Sequence, residues 1–153
     1  MTASSQRIRP ARAEDLPAIV ALYADDDLGR NRDGLAGLDD SYKQAFAAIQ
    51  SDPNHLLVVG EQAGAVVSTL LLSFLPGLSR GGAWRAQIEA MRVAGHLRDQ
   101  GLGRELLDWA VAEARARNCA LVQLTSDKAR DDAHRFYERA GFTPSHIGYK
   151  LTL

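Results

Sequence analysis

One run constrains this chain more than any other: Ile88-Glu89-Ala90-Met91-Arg92-Val93-Ala94-Gly95-His96-Leu97-Arg98-Asp99-Gln100-Gly101-Leu102-Gly103-Arg104. It reads as a strand ending near Val93, a short turn, and two glycines opening a long amphipathic helix. A strand feeding a helix in this way aims backbone N–H groups, and the positive end of the helix dipole, at whatever occupies the turn. A phosphate suits that place.

Three kinds of phosphate turn compete for the run. A P-loop needs Gly-Lys-Ser/Thr, but Gly103 is followed by Arg104-Glu105. A dinucleotide fingerprint needs a third glycine three positions after Gly103, where Leu106 stands, and an all-parallel βαβ context. What remains is Arg98-x-x-Gly101-x-Gly103. Its glycines let the backbone approach a diphosphate closely, while Arg98 and Arg104 bring positive charge. The plain alternative is a helix start that happens to contain glycines; the strand before it and the helix after it weigh against that reading.

The elements around the turn follow from periodicity. Arg7-Ile8-Arg9 is a short strand ended by Pro10. A helix from about Glu14 carries Leu16, Ile19, Val20, Leu22 and Tyr23 as an apolar stripe, with Pro17 in its first turn, and stops at Asp25-Asp26-Asp27. A polar stretch, Leu28 to Leu38, leads to a second helix over Asp39 to Gln50. From Leu56 the period changes to that of strands. Leu56 to Val59 and Ala65 to Leu75 form a hairpin across Glu61-Gln62-Ala63-Gly64, and Trp84 to Val93 follows after glycine-rich turns. The central helix runs from Gly101 to about Arg117, with Leu102, Leu106, Leu107, Ala110, Val111 and Ala114 on one face. Cys119 to Thr125 is a fifth strand, parallel to the fourth because a helix crosses between them. A last helix spans Arg130 to Ala140, Gly141 caps it, and Phe142 to Leu153 supplies a terminal strand or strands. The order βααβββαβαβ is an α+β arrangement in one domain over residues 1–153, with residues 1–6 expected to be loose.

Composition narrows the function. A net charge of −1 argues against broad nucleic-acid binding. Cys119 is the sole cysteine and reads as a packed strand residue, so no internal disulfide forms; the four histidines lack metal-ligand spacing, and no metal is expected. The apolar run from Val66 to Leu75 is too short to span a membrane. Met1 to Gln6 lacks a signal-peptide core, so a cytoplasmic protein is expected.

At this point the chain resembles the GNAT superfamily of acetyl-CoA-dependent N-acetyltransferases. Arg98-Asp99-Gln100-Gly101-Leu102-Gly103 is similar to that family's Arg/Gln-x-x-Gly-x-Gly/Ala pyrophosphate loop. Ala133-His134-Arg135-Phe136-Tyr137-Glu138-Arg139-Ala140-Gly141-Phe142 is similar to its Ala-x-x-x-Tyr-x-x-x-Gly-Phe segment. The two motifs stand in the family's order and separation, and the element order agrees from Ile8 to the C-terminus. The resemblance implies a GNAT-type acyl-CoA N-acyltransferase fold: a mixed six- or seven-stranded sheet with about four helices on both faces. It departs at Arg130, where the family often has Asn near the pantetheine arm.

The resemblance also implies roles. Acetyl-CoA is the cosubstrate, its pyrophosphate held by Arg98, Asp99, Gln100, Gly101, Leu102, Gly103 and Arg104. Its pantetheine pairs with the backbone of Met91, Arg92 and Val93 like an added strand, with Arg130 nearby. A backbone N–H near Met91 is the oxyanion donor. An acceptor amine with a lysine-like pKa of about 10.4 must lose a proton before attack. Glu89 matches the family's carboxylate for that task, beside the plain reading of a solvent-facing strand Glu. Tyr137 matches the general acid for the leaving thiolate; periodicity alone would make it a core residue beside Ala133 and Phe136.

For the acceptor, two readings stand open. Asp25, Asp26, Asp27, Asp33, Asp39 and Asp40 would favour a cationic amine. Arg30, Arg32, Arg80 and Arg92 could hold a phosphate, phosphonate or carboxylate on the same substrate. The run Asp132 to Tyr137 with Ser145-His146 is similar to aminoalkylphosphonate acetyltransferases. The leading expectation is acetyl transfer to a primary amine of a small molecule by direct attack on the thioester. Its alternatives are a protein lysine or N-terminal acetyltransferase and a non-catalytic acyl-CoA-binding module. A homodimer is compatible with all three.

Overall fold

The strand-period run from Leu56 to Leu75 builds the middle of the molecule as a hairpin of β2 (His55–Gln62) and β3 (Ala65–Leu75). Ala63 and Gly64, at φ of 51° and 79°, make its two-residue turn, the pair of positive φ values that a tight hairpin with twisted strands requires. The computed structural model describes residues 5–33 and 38–153. The chain divides into two compact units, Met1–Gln123 and Leu124–Leu153.

In the first unit, β1 (Arg7–Pro10) pairs antiparallel with β2, and β4 (Arg85–Val93) antiparallel with β3. β5 (Leu121–Leu124) completes the strand order β1-β2-β3-β4-β5. Ala120 N donates to Trp84 O at 2.8 Å, and Gln123 Nε2 to Gln87 Oε1 at 2.9 Å. Equal steps along both strands mean that they run the same way, as the helical crossover leads one to expect.

Both faces of the sheet are covered. α1 (Leu16–Ala24) and α2 (Asp40–Ser51) cover the side of Leu57 and Val59, in a buried cluster with Ala11, Leu16, Ile19 and Phe46. The Asp39 carboxylate starts α2 by accepting from Ser41 N at 2.9 Å. α4 (Leu102–Ala116) packs on β3 and β4 and buries Leu102, Leu106, Leu107, Ala110 and Ala114, residues spaced to share one helical face. Each such leucine contributes about 1.5–3 kcal/mol of burial. Between β3 and β4 lies α3 (Ser79–Gly82), a single turn in which Arg80 and Gly81 are left-handed.

An ion-pair lock holds the start of the chain to β2. Arg9 donates through Nη1 and Nη2 to the two Asp15 oxygens at 2.7 and 3.0 Å, and through Nε to Glu61 Oε2 at 3.0 Å. The guanidinium holds the Asp15 carboxyl below the usual carboxylate range. Residues 1–4 of the expected loose start lie outside the described residues. Gln6 bonds through its side chain to Leu102 O (2.7 Å) and Ser68 Oγ (2.5 Å), and through its N–H to Glu105 Oε2 (3.2 Å).

The second unit contains α5 (Asp131–Arg139), with Asp131 and Asp132 in its first turn and Arg139 in its last, charges that suit the helix dipole. Gly141, at φ 96°, ends it, and Phe142 N donates back to Tyr137 O at 3.0 Å.

The strand count needs correcting. Among the described residues there are five strands, not six or seven, because Phe142 to Leu153 forms none. A strand needs an edge to pair with as well as an alternating sequence, and within the single chain this segment joins no ladder.

Candidate active site

β4 changes character halfway along. Leu72 pairs with Ile88 and Leu71 with Glu89, but Thr69 pairs with Arg92, so Ala90 and Met91 together oppose Leu70. This is a β-bulge, and Ala90 takes a φ of 51° to make it. An L-residue there is strained by about 1 kcal/mol or more, and such strain gathers at functional sites. Before the bulge Ala86 and Ile88 are buried; Glu89 and Ala90 are exposed.

Glu89 is held within a polar row. Gln87 Nε2 donates to Glu89 Oε1 at 2.5 Å, and Gln87 Oε1 accepts from Gln123 on β5. Register carries the row across the sheet, since Gln87 pairs with Ser73 and Ser73 with His55. His55 Nδ1 meets Ser73 Oγ at 2.8 Å, and its Nε2 lies 3.6 Å from Asp52 Oδ2. These groups line one side of a cavity of about 430 Å³, with Ala48 and Ile49 of α2, Leu71 and Leu75 supplying apolar wall. Two carboxylates, Asp52 and Glu89, face it; among the described residues no Lys or Arg lines it. Sequence reasoning reached Glu89 alone. The rest of the row depends on cross-strand register, which periodicity does not fix.

Past the bulge, Arg92 Nη1 donates to Met91 O at 2.8 Å, and Arg92 Nη2 lies 3.8 Å from Asp26 Oδ2. Burial pushes the nearby Tyr23 hydroxyl up to about 12, with the Arg92 charge pulling the other way. Val93 pairs with Ser68 on the β3 side.

The glycine turn then follows as expected. Gly101 adopts φ 89° at the start of α4, and no atom lies within 4 Å of where its Cβ would stand, so the backbone conformation is what calls for glycine. Asp99 is also left-handed, at φ 62°. The first bond within the helix is Glu105 N to Gly101 O, at 3.0 Å, so the N–H groups of Leu102, Gly103 and Arg104 precede it; no side chain caps them among the described residues. Three such amides at the positive end of a 15-residue helix would suit an anion.

The two arginines serve the turn differently from simple charge donors. Arg98 Nη2 donates to Asp25 O at 2.8 Å, and the Asp25 carboxylate accepts from Gly95 N at 2.9 Å, bracing the turn against the end of α1. Arg104 Nε pairs with Asp108 at 2.9 Å along the helix surface. Gln100 Nε2 reaches His96 O at 3.4 Å.

Tyr137 and Arg130 belong to the second unit. Tyr137 is half-buried on α5, its ring edge-on to Phe136 and Phe142 at 5.2 and 5.8 Å. Arg130 stands at the N-cap of the same helix, its N–H donating to Asp127 O at 3.0 Å. Among the described residues, no helix is long and apolar enough to cross a membrane, and no group of three or more His, Cys, Asp or Glu is placed to hold a metal ion.

Comparison with known proteins bears on what this geometry serves. The sequence model of the Acetyltransferase (GNAT) family matches residues 16–142. The aminoalkylphosphonate N-acetyltransferase of Salmonella typhimurium is 33% identical over 147 residues, covering 95% of this chain and 90% of that protein. A crystal structure from Bacillus halodurans, described as a transcriptional regulator, superimposes with a TM-score of 0.93 at 43% identity, over 97% of this chain and 99% of that one. An acetyltransferase from Clostridium acetobutylicum, solved with acetyl-CoA, shares the fold at 18% identity, with a TM-score of 0.75 over 96% of each chain. The chain belongs to the GNAT family of acetyltransferases.

Proposed function

We propose that this enzyme transfers the acetyl group of acetyl-CoA to a primary amine of a small molecule, by direct attack of the amine on the thioester. The observation that carries the reading is Glu89: a carboxylate at the bulge of β4, on the wall of a cavity rich in negative charge. An ammonium group entering that cavity would be attracted by Asp52 and Glu89, and Glu89 would accept its proton, directly or through water.

The remaining steps balance as follows. The free amine attacks the thioester carbon, and the carbonyl oxygen gains charge that a β4 backbone N–H near Met91 stabilises. Collapse of the intermediate breaks the C–S bond, and the leaving thiolate takes the phenolic proton of Tyr137; the amide nitrogen sheds its extra proton, which restores the phenol, and Glu89 returns its proton to water. The coenzyme's pantetheine would lie along Met91, Arg92 and Val93, with Arg130 nearby. Its pyrophosphate would meet the turn of Arg98, Asp99, Gln100 and Gly101 and the amides of Leu102, Gly103 and Arg104, where the helix start supports an anion.

The Salmonella relative is named for an acceptor that carries a phosphonate. A phosphonate here would find its cation at Arg92, beyond the bulge, rather than in the cavity wall. We therefore favour an acceptor with an amine at one end and an anionic group at the other.

A panel of primary amines, including short aminoalkylphosphonates, incubated with acetyl-CoA tests this through release of free thiol. Release with one or more small amines is expected. Acetyl-CoA binding without release from any of them would favour a binding module instead. Tyr137→Phe is expected to keep coenzyme affinity while slowing turnover by about tenfold or more; equal turnover would remove Tyr137 from the mechanism.

A further inference from the structure

The coenzyme reading leaves one set of contacts to α4 unused, and they come from the start of the sequence. Gln6, just ahead of β1, reaches across β2 and β3 to the first turn of α4. Room for it exists because position 60 is glycine: a Cβ there would land on Gln6 Oε1 and Ser68 Oγ. In that space Gln6 Oε1 accepts from Ser68 Oγ at 2.5 Å, and Gln6 Nε2 donates to Leu102 O at 2.7 Å. Ser68 and Leu102 are buried, at 0% and 1% relative exposure, so water does not compete for either bond. The Gln6 backbone N–H is engaged as well, donating to Glu105 Oε2 at 3.2 Å.

The choice of Leu102 O as acceptor has a consequence at the helix start. Leu102 O and Gly103 N belong to one planar peptide group, and in a helix its two ends point in opposite directions along the axis. Gly103 N–H is one of the three amides that precede the first bond within α4. A donor on the carbonyl end fixes the plane of that peptide and polarises its N–H end, which strengthens the N–H toward an anion. The bond from the Gln6 backbone acts on charge. Glu105 is the acidic residue in the first turn of α4, where a free carboxylate competes with an anion for the helix start. Bonded to the Gln6 N–H, that carboxylate is held at the head of β1.

We infer that Gln6 is a positioning residue for the coenzyme, setting the first turn of α4 to receive the pyrophosphate. It acts through Leu102 O and Glu105, not by contact with the coenzyme. The inference rests on the proposal that the pyrophosphate meets this turn. Filling the space over Gly60 accounts for a side chain of this size; it does not account for a donor aimed at Leu102 O.

Gln6→Met tests it, because methionine keeps the length and the backbone N–H but offers Leu102 O no donor. Acetyl-CoA binding by titration calorimetry and unfolding free energy by denaturant are measured on the full chain, on Gln6→Met and on Ser68→Ala. The Kd should rise about fivefold or more for Gln6→Met. It should rise less for Ser68→Ala, which leaves the Leu102 bond in place. A loss of stability with an unchanged Kd would make Gln6 a packing residue and overturn the inference. Reciprocity supplies a check that needs no variant to fold: if Gln6 favours coenzyme binding, the coenzyme favours the Gln6 contacts. Saturating acetyl-CoA should therefore slow hydrogen exchange at the Gln6 and Glu105 amides of the unmodified chain. Binding with Gln6 exchange unchanged would contradict the inference and leave the coenzyme reading standing; no binding by the unmodified chain would remove both.

Discussion

β3 and β4 lie side by side in one sheet and share a ladder, yet they do different work. β3 is buried from Val67 to Leu70 and again from Leu72 to Phe74. β4 matches it as far as Ile88, then shows Glu89 and Ala90 to solvent and leaves Met91 to Val93 half-buried. The break coincides with one residue, Ala90, in a left-handed conformation. A regular ladder serves as scaffold; a bulge diverts part of a strand to present groups to a ligand. The sheet can do both because β3 stays regular on the other side of the break except at Leu70, the residue the bulge skips.

That contrast can be broken from the scaffold side first. Leu72→Ala, at a fully buried position paired with Ile88, should cost about 3 kcal/mol in denaturant unfolding while leaving turnover per folded molecule unchanged. A loss below about 1 kcal/mol would mean that the site collapses around the gap and is less rigid than argued.

A smaller effect is expected beside the diverted half. Tyr23, with its hydroxyl raised to about 12 by burial, favours the protonated phenol in the folded state. Its contribution is therefore complete below the ordinary phenol value of about 10 and is lost as pH rises toward 12. Over that window the unmodified protein should lose up to about 2 kcal/mol more stability than Tyr23→Phe, measured by chemical unfolding at each pH. Parallel curves would show that Tyr23 does not titrate against burial.

The smallest change probes the bulge itself. Ala90→Gly removes the Cβ from a left-handed residue and should stabilise the fold by about 0.5–1 kcal/mol, less whatever entropy glycine adds to the unfolded chain. Destabilisation would mean that packing of the Ala90 methyl, rather than the backbone, sets the bulge.

These regions also differ in how far their sequences disclose them. The scaffold was legible: period-2 runs gave β2 and β3, and a 3.6-period stripe gave α4 with its buried leucines. The glycine turn was legible because Gly101 needs a positive φ that glycine adopts freely. Ala90 and Asp99 adopt comparable values with no glycine to signal them. The cavity row of His55, Ser73 and Gln87 joins residues from three strands, and one step of register would have sent their side chains to the other face. Gln6, expected in a loose end, bonds to α4 and β3 through contacts 96 and 62 residues apart in sequence, respectively. Phe142 to Leu153 reads in sequence as a terminal strand or strands and forms none among the described residues, because a strand's partner is not written in its own sequence.

The central proposal is that β4 turns from scaffold to catalyst at Glu89. Glu89→Gln keeps the side chain's shape and an oxygen to accept from Gln87, and removes only the charge and its basicity. Turnover of acetyl-CoA with a saturating amine, measured alongside coenzyme binding and unfolding free energy, tests the claim most directly. The account predicts a loss in turnover of about a hundredfold, with coenzyme affinity within about twofold and stability within about 0.5 kcal/mol of the unmodified enzyme. Unchanged turnover would contradict it.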